Sequence, residues 1–508
     1  MTNQKTNSKT KDKLQEIILQ EKARGTPNLE IGQKYGVTFR YIEKLITKSQ
    51  GINISAFNVS KKIKALCPKD FREEQTTVWS FKQRGRWATH SGEYRGNWSP
   101  YIPRNVILKY SKQGETVLDY FCGAGTTAVE AKLLGRRCIA FDINDKAIEL
   151  AKKNLNFHIL SQQIYEPKLV VGDARDLSFL QNNSVDLICA HPPYANIIHY
   201  TDSKEGDLSF FDIDDFLKEM TKVAKESFRV LKPGRQCAIL IGDTRRKKNV
   251  IPLGFKLIDV YLKAGFKLRE LIIKRQHNCK TTGFWYENSI KYNFLLLAHE
   301  YLPIFEKPES SETSQVNETI ATYGTITPTL VKPELKRKLE QLETTTVWVL
   351  PKKDFEKQLN KNVIERYSNH SGYSVIFLNS STKGKTGFEV SKSQEEKELL
   401  FIKSPFLNND SSHSQIELCL SKIKEIIHQN LSEIAGAKFV VIQTKDVRVN
   451  GYIEPMAKRM VDLLKINSLQ LKEIILVTRE NQKIENQSSD NYLKINHQYL
   501  LVYEIKRY

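Results

Sequence analysis

The stretch Thr116-Val117-Leu118-Asp119-Tyr120-Phe121-Cys122-Gly123-Ala124-Gly125-Thr126-Thr127 decides the fold. Val117-Leu118 reads as the end of a buried strand. Gly123 and Gly125 let the backbone turn sharply and pass close to a ligand. Thr126-Thr127 opens a helix that runs through Val129 to Leu134 and stops at Gly135. Strand, Gly-x-Gly turn and helix, with the helix's free N–H groups facing the turn, form the ligand-binding corner of a doubly wound α/β sheet. A lone Gly-x-Gly is equally ordinary turn chemistry. Here three more strand ends accompany it. Strand Arg137 to Ile143 ends at Asp142, about twenty residues on, where a ribose-binding acid belongs. Strand Leu169 to Val171 runs into Gly172-Asp173-Ala174, and strand Val185 to Ala190 into His191-Pro192-Pro193-Tyr194. All four signals sit at C-terminal strand ends, where open α/β sheets bind ligands.

This run resembles the S-adenosylmethionine-dependent methyltransferases that modify exocyclic amino groups of DNA bases, at adenine N6 or cytosine N4. Phe121-Cys122-Gly123-Ala124-Gly125 resembles their cofactor loop, and His191-Pro192-Pro193-Tyr194 their Asp/Asn/Ser-Pro-Pro-Tyr tetrad. His191 is the departure from that pattern. The resemblance covers roughly residues 76 to 306. It implies S-adenosyl-L-methionine as cofactor, held by Asp119, Phe121, Cys122, Gly123, Ala124, Gly125, Thr126, Asp142, Ile143, Asp173 and Ala174, with no metal. Asp119 and the Gly123–Gly125 turn are expected to face the methionine part, Asp142 the ribose and Asp173 the adenine amino group. The tetrad is expected to work on a flipped-out base. Pro192 and Pro193 stiffen the loop, His191 accepts, and Tyr194 stacks on the base. Cys189 reads as core, because this chemistry needs no covalent nucleophile. The expected fold is thus α/β, a Rossmann-like class I methyltransferase sheet.

The chain has 508 residues, enough for two or three domains, and a formal net charge of +20. Such a balance favours a polyanionic partner, with nucleic acid as the leading candidate, although a lysine-rich composition alone also produces it; the family resemblance makes that partner double-stranded DNA. Seven scattered Cys without a Cys-x-x-Cys pair read as reduced thiols, with neither a disulfide framework nor a zinc site. No apolar run reaches the ~18 residues of a membrane span, and the N-terminus lacks an apolar signal core. A cytoplasmic, nucleoid-associated protein is the expectation.

In chain order, residues 1–70 hold 12 Lys and 2 Arg against 6 acids, a net of +8. Asn28 to Leu45 resembles a helix-turn-helix: Asn28 caps a short helix, Gly36 turns, and Thr38 caps a second helix with Tyr41, Ile42 and Leu45 inward. Arg40, Lys44 and Lys48 would then face DNA; a small helical bundle for packing is the alternative. Trp79, Trp87 and Trp98 lie among Arg84, Arg86 and Arg95, before a helix over Val106 to Tyr110. In position it resembles the family's segment that wraps the methionine end of the cofactor; the alternative is that these aromatics cover the sheet edge. Helices are expected over Asp145–Phe157, Asp215–Val230 and Pro252–Gly265, and strands over Cys237–Ile241, Leu268–Ile273 and Phe294–Ala298. The polar loop Lys274 to Asn293, with Arg275, His277, Lys280, Trp285, Tyr286 and Lys291, suits either a nucleic-acid strand or solvent.

Residues 307–340 read as a linker, and residues 341–508 repeat the catalytic region 76–306 in degenerate form. Thr346-Val347-Trp348 echoes Thr77-Val78-Trp79. Asp446, Pro455, Asp462 and Glu473 match Asp243, Pro252, Asp259 and Glu270, each 203 residues further on, and His497-Gln498-Tyr499-Leu500 echoes His299-Glu300-Tyr301-Leu302. The repeat has no cofactor loop near Asn379 to Gly387, and Lys403-Ser404-Pro405-Phe406 is a poor tetrad. The interval between Gly125 and His191 has no room for a recognition domain. Recognition is therefore expected from the repeat, the N-terminal helices, or both. Three functions compete: a DNA amino-methyltransferase, as in a restriction-modification system with a cognate restriction endonuclease; an RNA base methyltransferase; and a catalytically dead DNA-binding protein.

Overall fold

A computed structural model describes residues 14–21, 26, 28–38, 41, 42, 45, 63, 65–92, 94, 96–159, 164–195, 201, 205–246, 248–277, 283–309, 339, 342–368, 373–380, 388–392, 399–404, 407, 411–431, 438–480 and 492–506. The chain divides into two compact units. One comprises Met1–Glu73 and Gln83–Lys232, the other Glu74–Lys82 and Pro233–Tyr508. The cut falls well before the 307–340 stretch.

Up to the end of the tetrad strand the elements are helix α1 (Asn28–Tyr35), β1 (Val78–Ser80), α2 (Tyr101–Tyr110), β2 (Thr116–Asp119), α3 (Thr126–Leu133), β3 (Arg137–Asp142), α4 (Asp145–Leu155), β4 (Lys168–Val171) and β5 (Val185–Ala190). Next come α5 (Ile213–Val230), β6 (Leu231–Ile239), a hairpin of β7 (Thr244–Arg246) and β8 (Asn249–Ile251), α6 (Leu253–Lys263), β9 (Lys267–Arg275), α7 (Gly283–Lys291) and β10 (His299–Glu306).

In the first unit, parallel strands lie in the order β5-β2-β3-β4. The earliest of these strands, β2, is therefore internal, and the order reverses between β2 and β5, which opens a crevice at their C-terminal ends. Val117, Leu118 and every residue of β5 are buried, as strands covered on both faces require. N-terminally, Ile18, Ile31, Ile42 and Leu45 form a small core. Gly36 turns at φ +62°, and the Thr38 hydroxyl accepts the Tyr41 amide at 3.2 Å. Arg40, Lys44 and Lys48 lie outside the described residues.

Three local expectations are corrected. No strand covers Phe294–Ala298; Leu296 only bridges Thr345, and the strand is β10. Strand β10 carries His, Glu and Pro, yet the whole strand is buried because its polar groups are paired: Lys274 with Glu300 at 2.7 Å and Arg269 with Glu306 at 2.6 Å. The polar loop Lys274–Asn293 contains helix α7. Strand β6 starts at Leu231, six residues before the expected Cys237, and continues through Pro233-Gly234.

The second half contains β11 (Val347–Leu350), α8 (Phe355–Tyr367), β12 (Tyr373–Ser380), β13 (Phe388–Lys392), β14 (Leu399–Lys403), α9 (His413–Leu431), β15 (Phe439–Thr444), a hairpin of β16 (Val447–Val449) and β17 (Tyr452–Glu454), α10 (Met456–Leu463), β18 (Leu469–Arg479) and β19 (Gln498–Ile505). Its sheet runs β11-β18-β19-β15-β14-β12-β13. The first four strands repeat β1-β9-β10-β6 in order and direction, parallel, antiparallel, antiparallel. Parallel β14 and β12 repeat β5 and β2. The duplication read from the sequence is thus a duplication of topology. The departure is β13, which pairs antiparallel with β12 where β3 is parallel to β2. The loop 381–387 and the pair Pro405-Phe406 lie outside the described residues.

Within the second unit the two repeats meet through one surface used twice. Thr77 Oγ1 lies 2.8 Å from His497 Nδ1, and Thr346 Oγ1 lies 2.8 Å from His299 Nδ1. Arg448 pairs with Glu270 and Arg245 with Glu473, both at 2.5 Å, each glutamate side chain being fully buried. Glu270 also accepts the Leu493 amide, and Glu473 the Leu295 amide. Such reciprocity is the mark of an isologous contact.

Candidate active site

The site is built on the Gly-x-Gly corner. Gly123 and Gly125 sit at φ +49° and +80°, where a side chain is strained. A Cβ on Gly123 would come within 2.9 Å of the Tyr94 ring, and one on Gly125 within 2.9 Å of the Ala151 Cβ. The second contact lets α3 pack tightly beside α4. Asp142, at the end of β3, ties the corner down: its Oδ2 accepts the Gly123 amide and its Oδ1 the Asn144 amide, both at 2.9 Å. Asp119 lies beneath, accepting the Phe121 amide at 3.0 Å, and burial pushes its carboxyl up to about 7. Burial also drives the Cys122 thiol well above its ordinary range, so this thiol stays protonated.

An open cavity lies over this corner. Of the residues expected to bind or react, Phe121, Cys122, Gly123, Asp142, Ile143, Asp173, Ala174, His191 and Pro193 line it. Asp119, Ala124, Gly125, Thr126, Pro192 and Tyr194 do not. Asp173 is engaged by its neighbour, because Arg175 Nε lies 3.0 Å from both of its carboxylate oxygens and Nη2 2.6 Å from Oδ2. Arg175 also pairs with Glu219.

At the end of β5, His191 Nε2 lies 2.9 Å from the Tyr194 hydroxyl, the two rings meeting edge to face. Trp98 stacks on His191, with centroids 5.5 Å apart and planes 21° from parallel. The imidazole is therefore clasped between an indole face and a phenol. Ala195, directly after the tetrad, has φ +50°, a strained turn of the kind that collects at functional sites.

The family resemblance and the aromatic composition left the segment before α2 undecided between cofactor and sheet edge. The structure divides it. Trp79 is buried in β1 of the second unit, whereas Tyr94, Asn97 and Trp98 line the cavity. The fastening that holds the segment there was invisible in the sequence. Glu130 on α3, fully buried, accepts Trp87 Nε1 at 2.6 Å, faces His90 Nε2 at 2.7 Å and binds Arg104 Nη1 at 2.9 Å. Thr126 donates to Asn97 Oδ1, fastening the segment to the start of the same helix. A carboxylate inside an otherwise ordinary helix was the available signal. Asp207 and Leu208 also line the cavity, Asp207 being held by Thr201 at 2.8 Å; neither carried a motif.

Residues 5–153 match the model of the N6/N4 methylase family, described as DNA methylase, and residues 111–259 match a methyltransferase domain. A tRNA (guanine(10)-N2)-dimethyltransferase from Methanothermobacter thermautotrophicus is 35% identical over 102 residues, which are 20% of this chain and 29% of that protein. The type II methyltransferase M2.LlaDCHI from Lactococcus lactis subsp. cremoris is 36% identical over 93 residues, 17% and 34% of the two chains. M2.DpnII from Streptococcus pneumoniae, also a type II methyltransferase, is 35% identical over 86 residues, 16% and 31%. The chain thus spans about a third of the length of these curated relatives. It resembles the S-adenosylmethionine-dependent DNA amino-methyltransferases both in its motifs and in these matches. Among the described residues, no helix is long and apolar enough to cross a membrane, and no cluster of His, Cys, Asp or Glu has the makings of a metal site.

Proposed function

We propose that this chain is a DNA amino-methyltransferase that uses S-adenosyl-L-methionine to methylate adenine N6 or cytosine N4 on a flipped-out base. One observation carries the reading: the glycine corner, the strand-end acids Asp142 and Asp173, and His191 and Pro193 of the tetrad line a single cavity at C-terminal strand ends. The residues fit the cofactor. The corner lies so close to Tyr94 that a side chain at 123 would crowd its ring, and Asp142 holds the Gly123 amide on its carboxylate. Phe121 and Gly123 would hold the methionine part, Asp142 the ribose, and Ile143 with Asp173 and Ala174 the adenine. When bound, the cofactor supplies an electrophilic methyl group on a sulfonium.

The chain's own work lies on the other reactant. An exocyclic NH2 delocalises its lone pair into the base ring and is a poor nucleophile. Acceptors aimed at its hydrogens return the lone pair to nitrogen and orient it. Pro192 and Pro193 fix the backbone so that its carbonyls serve as such acceptors. His191, held by Trp98 and Tyr194, presents a third acceptor where the family has Asp, Asn or Ser, and takes the proton that the product ammonium must lose. We assign the Tyr194 ring face to stacking on the base, its hydroxyl anchored on His191. The type II names of two relatives support placing the chain in a restriction-modification pair with a cognate endonuclease.

The test is mass spectrometry of nucleosides from the DNA of a methylation-free host expressing the chain. N6-methyladenine or N4-methylcytosine is expected, and identifies the base. A second reading, methylation of an RNA base, draws on the tRNA dimethyltransferase relative. A methyl mark in the host's RNA with none in its DNA selects it.

A further inference from the structure

The register of the two sheets defines equivalent positions in the second unit. Ile241 bridges Tyr301 as Thr444 pairs with Tyr499, and Ile273 pairs with Tyr301 as Leu476 pairs with Tyr499. Leu296 bridges Thr345 as Lys494 bridges Thr76. By this register, Gly242, Gln276 and Leu296 of the first repeat correspond to Lys445, Arg479 and Lys494 of the second. Three neutral positions are three cations in the copy that lacks a cofactor loop.

All three stand at one edge. Lys445 follows β15, Arg479 ends β18, and Lys494 precedes β19, which lies between those strands and runs antiparallel to both. This is the edge formed by the C-terminal ends of β15 and β18, the side on which open α/β sheets take ligands. At the ~4.8 Å spacing of strands the trio spans about 10 Å, room for a run of backbone phosphates rather than one small anion. Among the described residues no ion pair joins a carboxylate to Arg479 or Lys494. Asp446 beside Lys445 is committed elsewhere, its Oδ2 accepting the Tyr499 hydroxyl at 3.0 Å. Burial, Arg479 and Lys494 hold the half-buried Lys445 ammonium below its ordinary range. Like charges gathered against mutual repulsion call for an anion brought by a partner.

We propose that Lys445, Arg479 and Lys494 form a phosphate-binding site for the DNA backbone, at an edge whose equivalent positions in the first repeat are neutral and lie outside the cofactor cavity. This rests on the DNA reading above.

The experiment measures binding of a fluorescein-labelled DNA duplex to the full chain across a salt series, with cofactor affinity determined separately. In K445Q/R479Q/K494Q the slope of log affinity against log salt is expected to fall by roughly 2–3, at about 0.9 for each phosphate no longer neutralised, with cofactor affinity unchanged. K445R/R479K/K494R should keep the wild-type slope. The control K218Q/K222Q/K225Q removes as much charge from α5 and should also keep it. A neutralised trio whose slope equals that of the α5 control overturns the site. If that chain still methylates DNA, the functional reading stands and this inference alone falls. A wild-type chain with no salt-dependent duplex binding overturns both.

Discussion

Replacing Arg448 with Met tests how the two repeats hold together. The Arg448 guanidinium lies 2.5 Å from Glu270 Oε2, donates to the Arg269 carbonyl at 2.7 Å and the Gly451 carbonyl at 3.0 Å, and stacks over Tyr492. The Glu270 side chain is fully buried, and without Arg448 its remaining donor among the described residues is the Leu493 amide at 3.1 Å. Breaking a buried pair from one side strands the other charge, at a cost of about 3–5 kcal/mol. For a unit of this size that moves a urea midpoint by roughly 1–2 M, which tryptophan fluorescence reads through buried Trp79 and Trp348. Adding Glu270→Gln removes the stranded charge and keeps an acceptor for Leu493, so the double variant should recover about half of the loss. The pH dependence has a definite sign. Burial raises the Glu270 pKa, and Arg448 opposes that rise. In Arg448→Met the folded carboxyl therefore binds its proton at a pH where the unfolded one, near 4.3, has lost it. The deficit should shrink as pH falls from 7 toward 5. A loss below about 1 kcal/mol, or a double variant no better than the single, would refute the view that this pair is a buried clamp between repeats.

Two further predictions concern the cavity. Asp142→Ala should weaken cofactor binding by calorimetry, whereas Tyr194→Phe should keep that affinity and lower turnover by freeing His191 from its 2.9 Å partner; equal loss of cofactor affinity in both would contradict the assigned roles. Gly123→Ala, placing a Cβ 2.9 Å from Tyr94 at φ +49°, should cost about 1–3 kcal/mol in a thermal melt and reduce cofactor affinity, and a variant indistinguishable from wild type in both assays would mean that the corner has slack.

What the sequence revealed, and what it hid, follows from the range of the forces involved. The glycine corner and the acid at each strand end were legible because they are local: positive φ demands glycine, and a strand followed by a turn leaves its mark on neighbouring residues. Strand β10 was hidden because its His299, Glu300 and Glu306 look like surface until their partners on β9, β6 and the other repeat are known. The segment from Trp87 to Trp98 could not be placed because Glu130, which fastens it, comes more than thirty residues later and has no motif. The constant 203-residue offset exposed the duplication. It said nothing of Thr77 and Thr346, each of which completes the other repeat's histidine.

The pattern of what the second repeat keeps argues for why it is kept. Thr346, Asp446, Arg448, Glu473, His497 and Tyr499 all sit in or behind the contact between repeats. Each of Asp243 and Asp446 is buried beside its own tyrosine, and burial pushes both carboxyls up to about 7. His299 and His497 are held at about 3, again by burial, so both rings are neutral around pH 7. With neutral imidazoles, each threonine–histidine–tyrosine chain can share its protons without a stranded cation. That requirement falls equally on both halves, because an isologous surface fails if either copy changes. No such constraint protects a second cofactor loop. The repeat was therefore free to lose its glycine corner while its face was held fixed.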